Sequence, residues 1–355
     1  MLKHRRSRLT PFFERDSLGC IIIQHTPNIR YLSGFTGSEA SLVITPERVW
    51  FISDSRYTLQ AESEVYGCEL IESGKRLEAI VDLQSRFNWG RIGFEACHTS
   101  VASHAEMLSA LLGAELVPLG ADLDLIRNCK DASELDALET AAVLASEAMK
   151  RVLPLLKPGV VESEIALALE FEMRRSGAEG RGFDFIVASG ERGAMPHGRA
   201  SSRVIRKGEF VTLDYGLVLA GYHSDETITV SVGGPDLRQQ EVYDTVLAAH
   251  DMAISAIRPG ASCRDVDAVA RDYIASRGFG SYFGHGLGHG VGLEIHEKPV
   301  LSPRSDAILE EGMVVTVEPG IYIPEWGGVR IEDTVAVTAE GCRLLTSFPK
   351  EMITV

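Results

Sequence analysis

From Gly284 to Gly292 glycine stands at every second position: Gly284-His285-Gly286-Leu287-Gly288-His289-Gly290-Val291-Gly292. His285 and His289 are four apart, the spacing of a helical metal motif. Five glycines in nine residues argue against a helix, because each gives up backbone entropy there. The stretch reads instead as extended chain, where positions four apart share a face and glycine lets backbone or ligand approach closely. Continued to Ile295-His296-Glu297, it holds three of the chain's ten histidines. Such a concentration points to metal or proton chemistry.

Acids sit in apolar strands on both sides of this segment. Val211-Thr212-Leu213-Asp214-Tyr215-Gly216 and Ser224-Asp225-Glu226-Thr227-Ile228-Thr229-Val230 flank an Ala220-Gly221 turn. A hairpin there brings Asp214 and Asp225 together across the ladder. Two facing carboxylates repel unless a cation lies between them. Met313 to Val317 is an apolar strand ending in Glu318-Pro319-Gly320, and Gly328-Val329-Arg330-Ile331-Glu332-Asp333 begins a strand expected to continue to Thr338. An unpaired Glu318 or Glu332 among valines and isoleucines is costly; for Glu332 a salt bridge to Arg330 is the bland explanation. One histidine and four carboxylates form an oxygen-rich set suited to a pair of divalent cations, Mn²⁺, Co²⁺ or Fe²⁺, with Zn²⁺ admissible.

At 355 residues the chain has room for two domains. Short strands and helices alternate up to about residue 112, which predicts an α/β domain. The stretch Leu125 to Asp131 reads as a boundary, and the domains are expected at 1–125 and 126–355. Ser133 is expected to cap a long helix, with Asp136 at the capping-box position. A second helix fits Glu162 to Ser176, and strands are expected to dominate from there. The net charge of −15 argues against nucleic acid as a partner. No apolar run reaches the roughly 18 residues of a membrane span. Met1-Leu2-Lys3-His4-Arg5-Arg6 lacks the apolar stretch of a targeting signal and reads as the solvated face of a first helix. Six scattered cysteines without a CxxC pair fit free thiols in a reducing cytoplasm.

With these residues in view, the chain resembles the pita-bread metallopeptidases, the family of methionine aminopeptidase, Xaa-Pro aminopeptidase and prolidase. Asn28-Ile29-Arg30-Tyr31-Leu32-Ser33-Gly34-Phe35-Thr36-Gly37-Ser38, Ser53-Asp54-Ser55-Arg56-Tyr57, Phe183-Asp184-Phe185-Ile186-Val187-Ala188-Ser189-Gly190 and Met195-Pro196-His197-Gly198 are similar to its proline-specific branch. The resemblance implies an α+β fold, in which a smaller creatinase-type α/β domain precedes a pita-bread catalytic domain. It implies two metals per subunit, with manganese favoured, on Asp214, Asp225, His289, Glu318 and Glu332. His197 and His296 match substrate-contacting and proton-handling histidines, His285 a histidine lining the proline pocket, and Arg330 an arginine buttressing the carboxylates.

The implied reaction is attack of a metal-bridging hydroxide on the bond before proline, with Glu318 as proton carrier and His296 stabilising the oxyanion. The implied partners are a peptide with proline in second position and a second copy of the chain, as a homodimer. Prolidases of the family often carry an arginine four residues beyond the match of His296; here that position is Val300, and the nearest arginine is Arg304. Xaa-Pro aminopeptidase is therefore the expectation. Xaa-Pro dipeptidase is the alternative, and a metal-free scaffold a distant one.

Overall fold

The computed structural model describes all 355 residues, which form two compact units, Met1–Arg127 and Asn128–Val355. In the first unit, β-branched and aromatic runs build a six-stranded sheet. Its spatial order is Glu69–Glu72, Val49–Ser53, Ser41–Ile44, Cys20–Ile23, Arg91–Glu95, Glu115–Leu119. Ser41–Ile44 runs antiparallel to both neighbours, while the remaining pairs are parallel. Ile22, Val43, Trp50, Ile80, Leu83 and Ile92 fill one core of the unit. The first helix, Leu2–Ser7, leaves Lys3, His4 and Ser7 solvated as expected, but its two arginines turn inward. Arg5 is buried with its guanidinium 4.8 Å over the Tyr31 ring. Arg6 donates to the carbonyls of Leu32, Tyr66 and Gly67, each at 2.8 Å. The flat guanidinium spreads its donors over three backbone carbonyls.

The second unit places pairs of helices behind strands. Ala132–Val152 and Glu162–Arg175 pack with the sheet of Ile353–Thr354, Glu226–Ser231, Phe210–Tyr215 and Ile186–Ser189. Leu237–Ala256 and Cys263–Ser276 pack with the sheet of Glu297–Leu301, Gly288–Gly290, Val314–Val317, Asp333–Val337 and Cys342–Leu344. The period-2 rule sorts each strand. Val211, Leu213 and Tyr215 enter the helix-side core, so Thr212 and Asp214 take the opposite face; Val315 and Val317 likewise leave Thr316 there. No helix is long and apolar enough to cross a membrane.

Three expectations are corrected here, and two helices are added. The cap of Ala132–Val152 is Asp131 rather than Ser133: its carboxylate accepts from the amides of Ser133 and Glu134, and Glu134 reaches back to the Asp131 amide. Strands do dominate after Ser176, as expected, but two helices not expected from the sequence interrupt them, Leu237–Ala256 of 20 residues and Cys263–Ser276 of 14. Asp214 does not face Asp225 across the ladder; its partner is Thr227, and the ladder ends at Tyr215–Glu226. Beyond it Gly216 lies so close to the Ser224 carbonyl that no Cβ fits, and Asp225 is set diagonally from Asp214. Finally, residues 328–338 are two strands in different sheets, Gly327–Arg330 and Asp333–Val337. At the break the Glu332 amide bonds the Thr227 carbonyl at 3.1 Å, joining the chain to the other half of the unit.

Candidate metal centre

Asp214, Asp225, His289, Glu318, Glu332, His197, His285, His296 and Arg330 all line one cavity of about 450 Å³ in the second unit. Ligand atoms of Asp225, His289 and Glu332 all lie within 4.8 Å of one another. His289 Nε2 is 3.3 Å from Glu318 Oε1 and 3.6 Å from Asp225 Oδ2. Its Nδ1 lies 3.1 Å from the Gly290 carbonyl oxygen. A proton on Nδ1 donates there and leaves the Nε2 lone pair to face the carboxylates.

The glycine alternation has a concrete role here. At Gly288 a Cβ would overlap the Thr316 carbonyl, so only glycine lets the His289 strand press against Val314–Val317. That approach lets the His289 amide donate to Thr316 Oγ1 at 3.0 Å, and Thr316 Oγ1 donates to Glu318 Oε1 at 3.2 Å.

Arg330 ties the acids to the pocket wall. Its Nη2 donates to Asp214 Oδ2 at 2.7 Å and its Nη1 to Tyr322 Oη at 2.9 Å and the Pro196 carbonyl at 3.2 Å. The bland alternative for Glu332, a pair with Arg330, gives way to this pair with Asp214, and Thr227 Oγ1 donates to Glu332 Oε2 at 2.6 Å. Tyr322 was not legible in the sequence as a site residue. Its hydroxyl accepts from Arg330 and lies 2.9 Å from His285 Nε2. With His285 Nδ1 facing the Gly286 carbonyl at 2.7 Å, Tyr322 donates to a neutral imidazole.

The electrostatics are those of a site short of positive charge. Four carboxylates share one buried guanidinium. Burial pushes the Asp225 carboxyl well above the usual range, and Glu332, Asp214 and Glu318 add to it. Glu332 is raised well above its range by burial, then by Glu318 and Asp214. Glu318 is pushed up to about 7, chiefly by burial, with Asp214 adding and Arg330 opposing. Burial lowers His289 and His296, and brings His285 down to about 4. Buried carboxylates crowded together are stable only when protonated or when cations join them.

The donor set fits divalent metals. Asp214 Oδ1 is buried with no hydrogen-bond partner, although its Oδ2 is held by Arg330. A buried acceptor left bare is rare and calls for an explanation, and a cation supplies one. A second group of possible ligands, His25, His98 and Asp124 in the first unit, is arranged differently. The His25 and His98 rings stack with centroids 3.6 Å apart and planes within 7°. Nitrogen lone pairs lie in the ring plane, so one ion cannot lie in both planes without a ring turning.

Residues 136–339 match metallopeptidase family M24 and residues 5–129 the creatinase/prolidase N-terminal domain. The Xaa-Pro dipeptidase of Pyrococcus furiosus is 35% identical over 356 residues, covering 99% of this chain and 100% of that protein. A structure described as Xaa-Pro dipeptidase from Bacillus anthracis superposes with a TM-score of 0.97 at 41% identity, covering 100% of both chains. An X-Pro aminopeptidase structure from Thermotoga maritima gives 0.91 at 35% identity, covering 96% of this chain and 99% of that one. The chain is an α+β hydrolase of metallopeptidase family M24, in which a creatinase/prolidase-type N-terminal domain is followed in sequence by a pita-bread catalytic domain.

Proposed function

We propose that the chain is an Xaa-Pro dipeptidase holding two divalent metals on Asp214, Asp225, His289, Glu318 and Glu332. The carrying observation is the convergence of these five residues on one cavity, in a chain that aligns end to end with proteins named Xaa-Pro dipeptidase. When bound, the metals would supply Lewis acidity and an activated water. The other roles fall to the chain's own side chains. Glu318 is assigned the proton released by the attacking water, taken on Oε2 and returned to the proline nitrogen. His296 is exposed to the cavity beside His289, ring centroids 4.4 Å apart, and is assigned to the developing oxyanion. His197 holds the substrate, and His285, kept neutral by burial, borders the proline side.

The aminopeptidase expected from Val300 remains the second reading, favoured by that departure and by the Thermotoga maritima likeness. After Mn²⁺ or Co²⁺ reconstitution, turnover of an Xaa-Pro dipeptide is compared with that of the matching Xaa-Pro-Yaa tripeptide. Preference for the dipeptide is the expected result, and preference for the tripeptide selects the aminopeptidase. Homodimer assembly belongs to the same proposal and is read by sedimentation.

A further inference from the structure

We propose that Arg199 is the residue that recognises the free C-terminal carboxylate of a dipeptide substrate, with Asp184 as its resting partner; this rests on the dipeptidase reading above. A site selective for dipeptides needs a fixed cation one residue beyond the scissile bond. Only two Lys or Arg residues line the cavity, Arg330 and Arg199. Arg330 is buried, and its Nε, Nη1 and Nη2 donate to Thr227, Tyr322, Pro196 and Asp214. Four of its five N–H groups are thereby taken, and the one left on Nη2 cannot grip a carboxylate bidentately. Arg199 has a side chain 75% exposed, and its Nη1 pairs with Asp184 Oδ2 at 2.7 Å.

The strand register sets the reach. Arg199 bridges Ile186, and Ile186 pairs with Asp214. Residues paired across adjacent strands point to the same face, so Arg199 shares the cavity face with Asp214, two strand spacings or roughly 10 Å away. Two extended residues span about 7 Å. A dipeptide whose amino end lies at the carboxylate cluster therefore carries its own carboxylate to the guanidinium, which the flexible stem swings inward.

Asp184 makes the exchange inexpensive. Its Oδ1 also pairs with Arg181 Nη2 at 2.6 Å. When Arg199 turns to the substrate, Asp184 keeps one guanidinium, and no carboxylate is left bare. A tripeptide carries an amide at that position and loses the charge-assisted contact.

The test uses metal-loaded wild type, Arg199→Gln, Arg199→Lys and Asp184→Asn, each with an Xaa-Pro dipeptide and its C-terminal amide. Wild type is expected to favour the acid by roughly 10- to 100-fold in kcat/KM, carried by KM. Arg199→Gln should bring the acid-to-amide ratio close to unity, and Arg199→Lys should restore part of it. Asp184→Asn should lower KM for the acid alone. Calorimetric titration with proline and prolinamide reads the same discrimination without turnover. A large wild-type ratio that survives Arg199→Gln overturns the assignment while the dipeptidase reading stands. A wild-type ratio near unity overturns both. Should Arg199→Gln fail to fold, an Asp184→Asn protein with unaltered KM for the acid overturns the assignment by itself.

Discussion

Replacing Glu318 by Gln should stabilise the metal-free protein and destabilise the metal-loaded one. In the folded chain the Glu318 carboxyl rises from 4.5 to about 7, so the folded state holds a proton that the unfolded chain has already released. At about 1.4 kcal/mol per pH unit this costs about 3 kcal/mol of stability. Because the folded value is the higher one, the cost is absent below pH about 4.5, grows between 4.5 and 7, and is complete above 7. Gln has the same shape, accepts from Thr316 Oγ1 as Glu318 does, and has no charge to lose. Chelator-stripped Glu318→Gln should therefore melt above stripped wild type at pH 8, and the difference should vanish near pH 4. With Mn²⁺ present the order should reverse, since the variant forfeits a ligand and with it binding-linked stabilisation. Thermal midpoints from pH 4 to 8.5, with and without metal, decide it. A stripped variant that melts below wild type at pH 8 refutes the reasoning, for it would mean that the carboxylate is already compensated by protein groups.

His289→Ala and Asp225→Asn should each lose bound metal and peptidase activity together, read by elemental analysis beside turnover; retention of metal would remove them from the ligand set. His296→Ala should keep its metal and slow turnover by roughly 100-fold or more, and full rate would refute its proposed role. Arg330→Met breaks the buried pair with Asp214 and takes a donor from the Pro196 carbonyl and from the Tyr322 hydroxyl, which keeps only His285. It should cost about 3–5 kcal/mol, seen as a lowered midpoint for metal-free protein at pH 7; an unchanged midpoint would show that Asp214 is otherwise satisfied.

The acids and histidines of the site were legible in the sequence because each violates its surroundings. A carboxylate at the end of a valine run, or an imidazole between glycines, has no reason to be there unless something pairs with it. Asp131 escaped because Ser133 is an equally good cap by type, and only the reciprocal Glu134 contact separates them. The helix Leu237–Ala256 escaped for a different reason. Its buried residues include Thr245, His250 and Gln239 beside Val242 and Val246, so its apolar stripe is interrupted and periodicity alone cannot see it. Tyr322 and Arg199 look like any tyrosine in a strand or arginine in a loop. What they do depends on partners brought in from other strands, as His285 is to Tyr322, or on a register that pairs three separate segments.

The break at Ile331–Glu332 shows why the least legible feature is also the one that assembles the centre. An uninterrupted strand from Gly328 to Thr338 would keep Glu332 in one sheet, with the ordinary alternation of its neighbours. Ending one strand at Arg330 and starting the next at Asp333 frees two residues to cross between sheets. Glu332 then binds Thr227 through both backbone and side chain, while Arg330, still in its own strand, reaches Asp214. The helix-backed halves are thus stitched together at the residues that face the cavity. Repulsion among the carboxylates is concentrated on that seam, where burial raises Asp225, Glu318 and Glu332 together. Cations that relieve the repulsion would also tighten the seam. Metal loading and rigidity of the second unit should therefore rise together, as the reversal of stability order in Glu318→Gln requires.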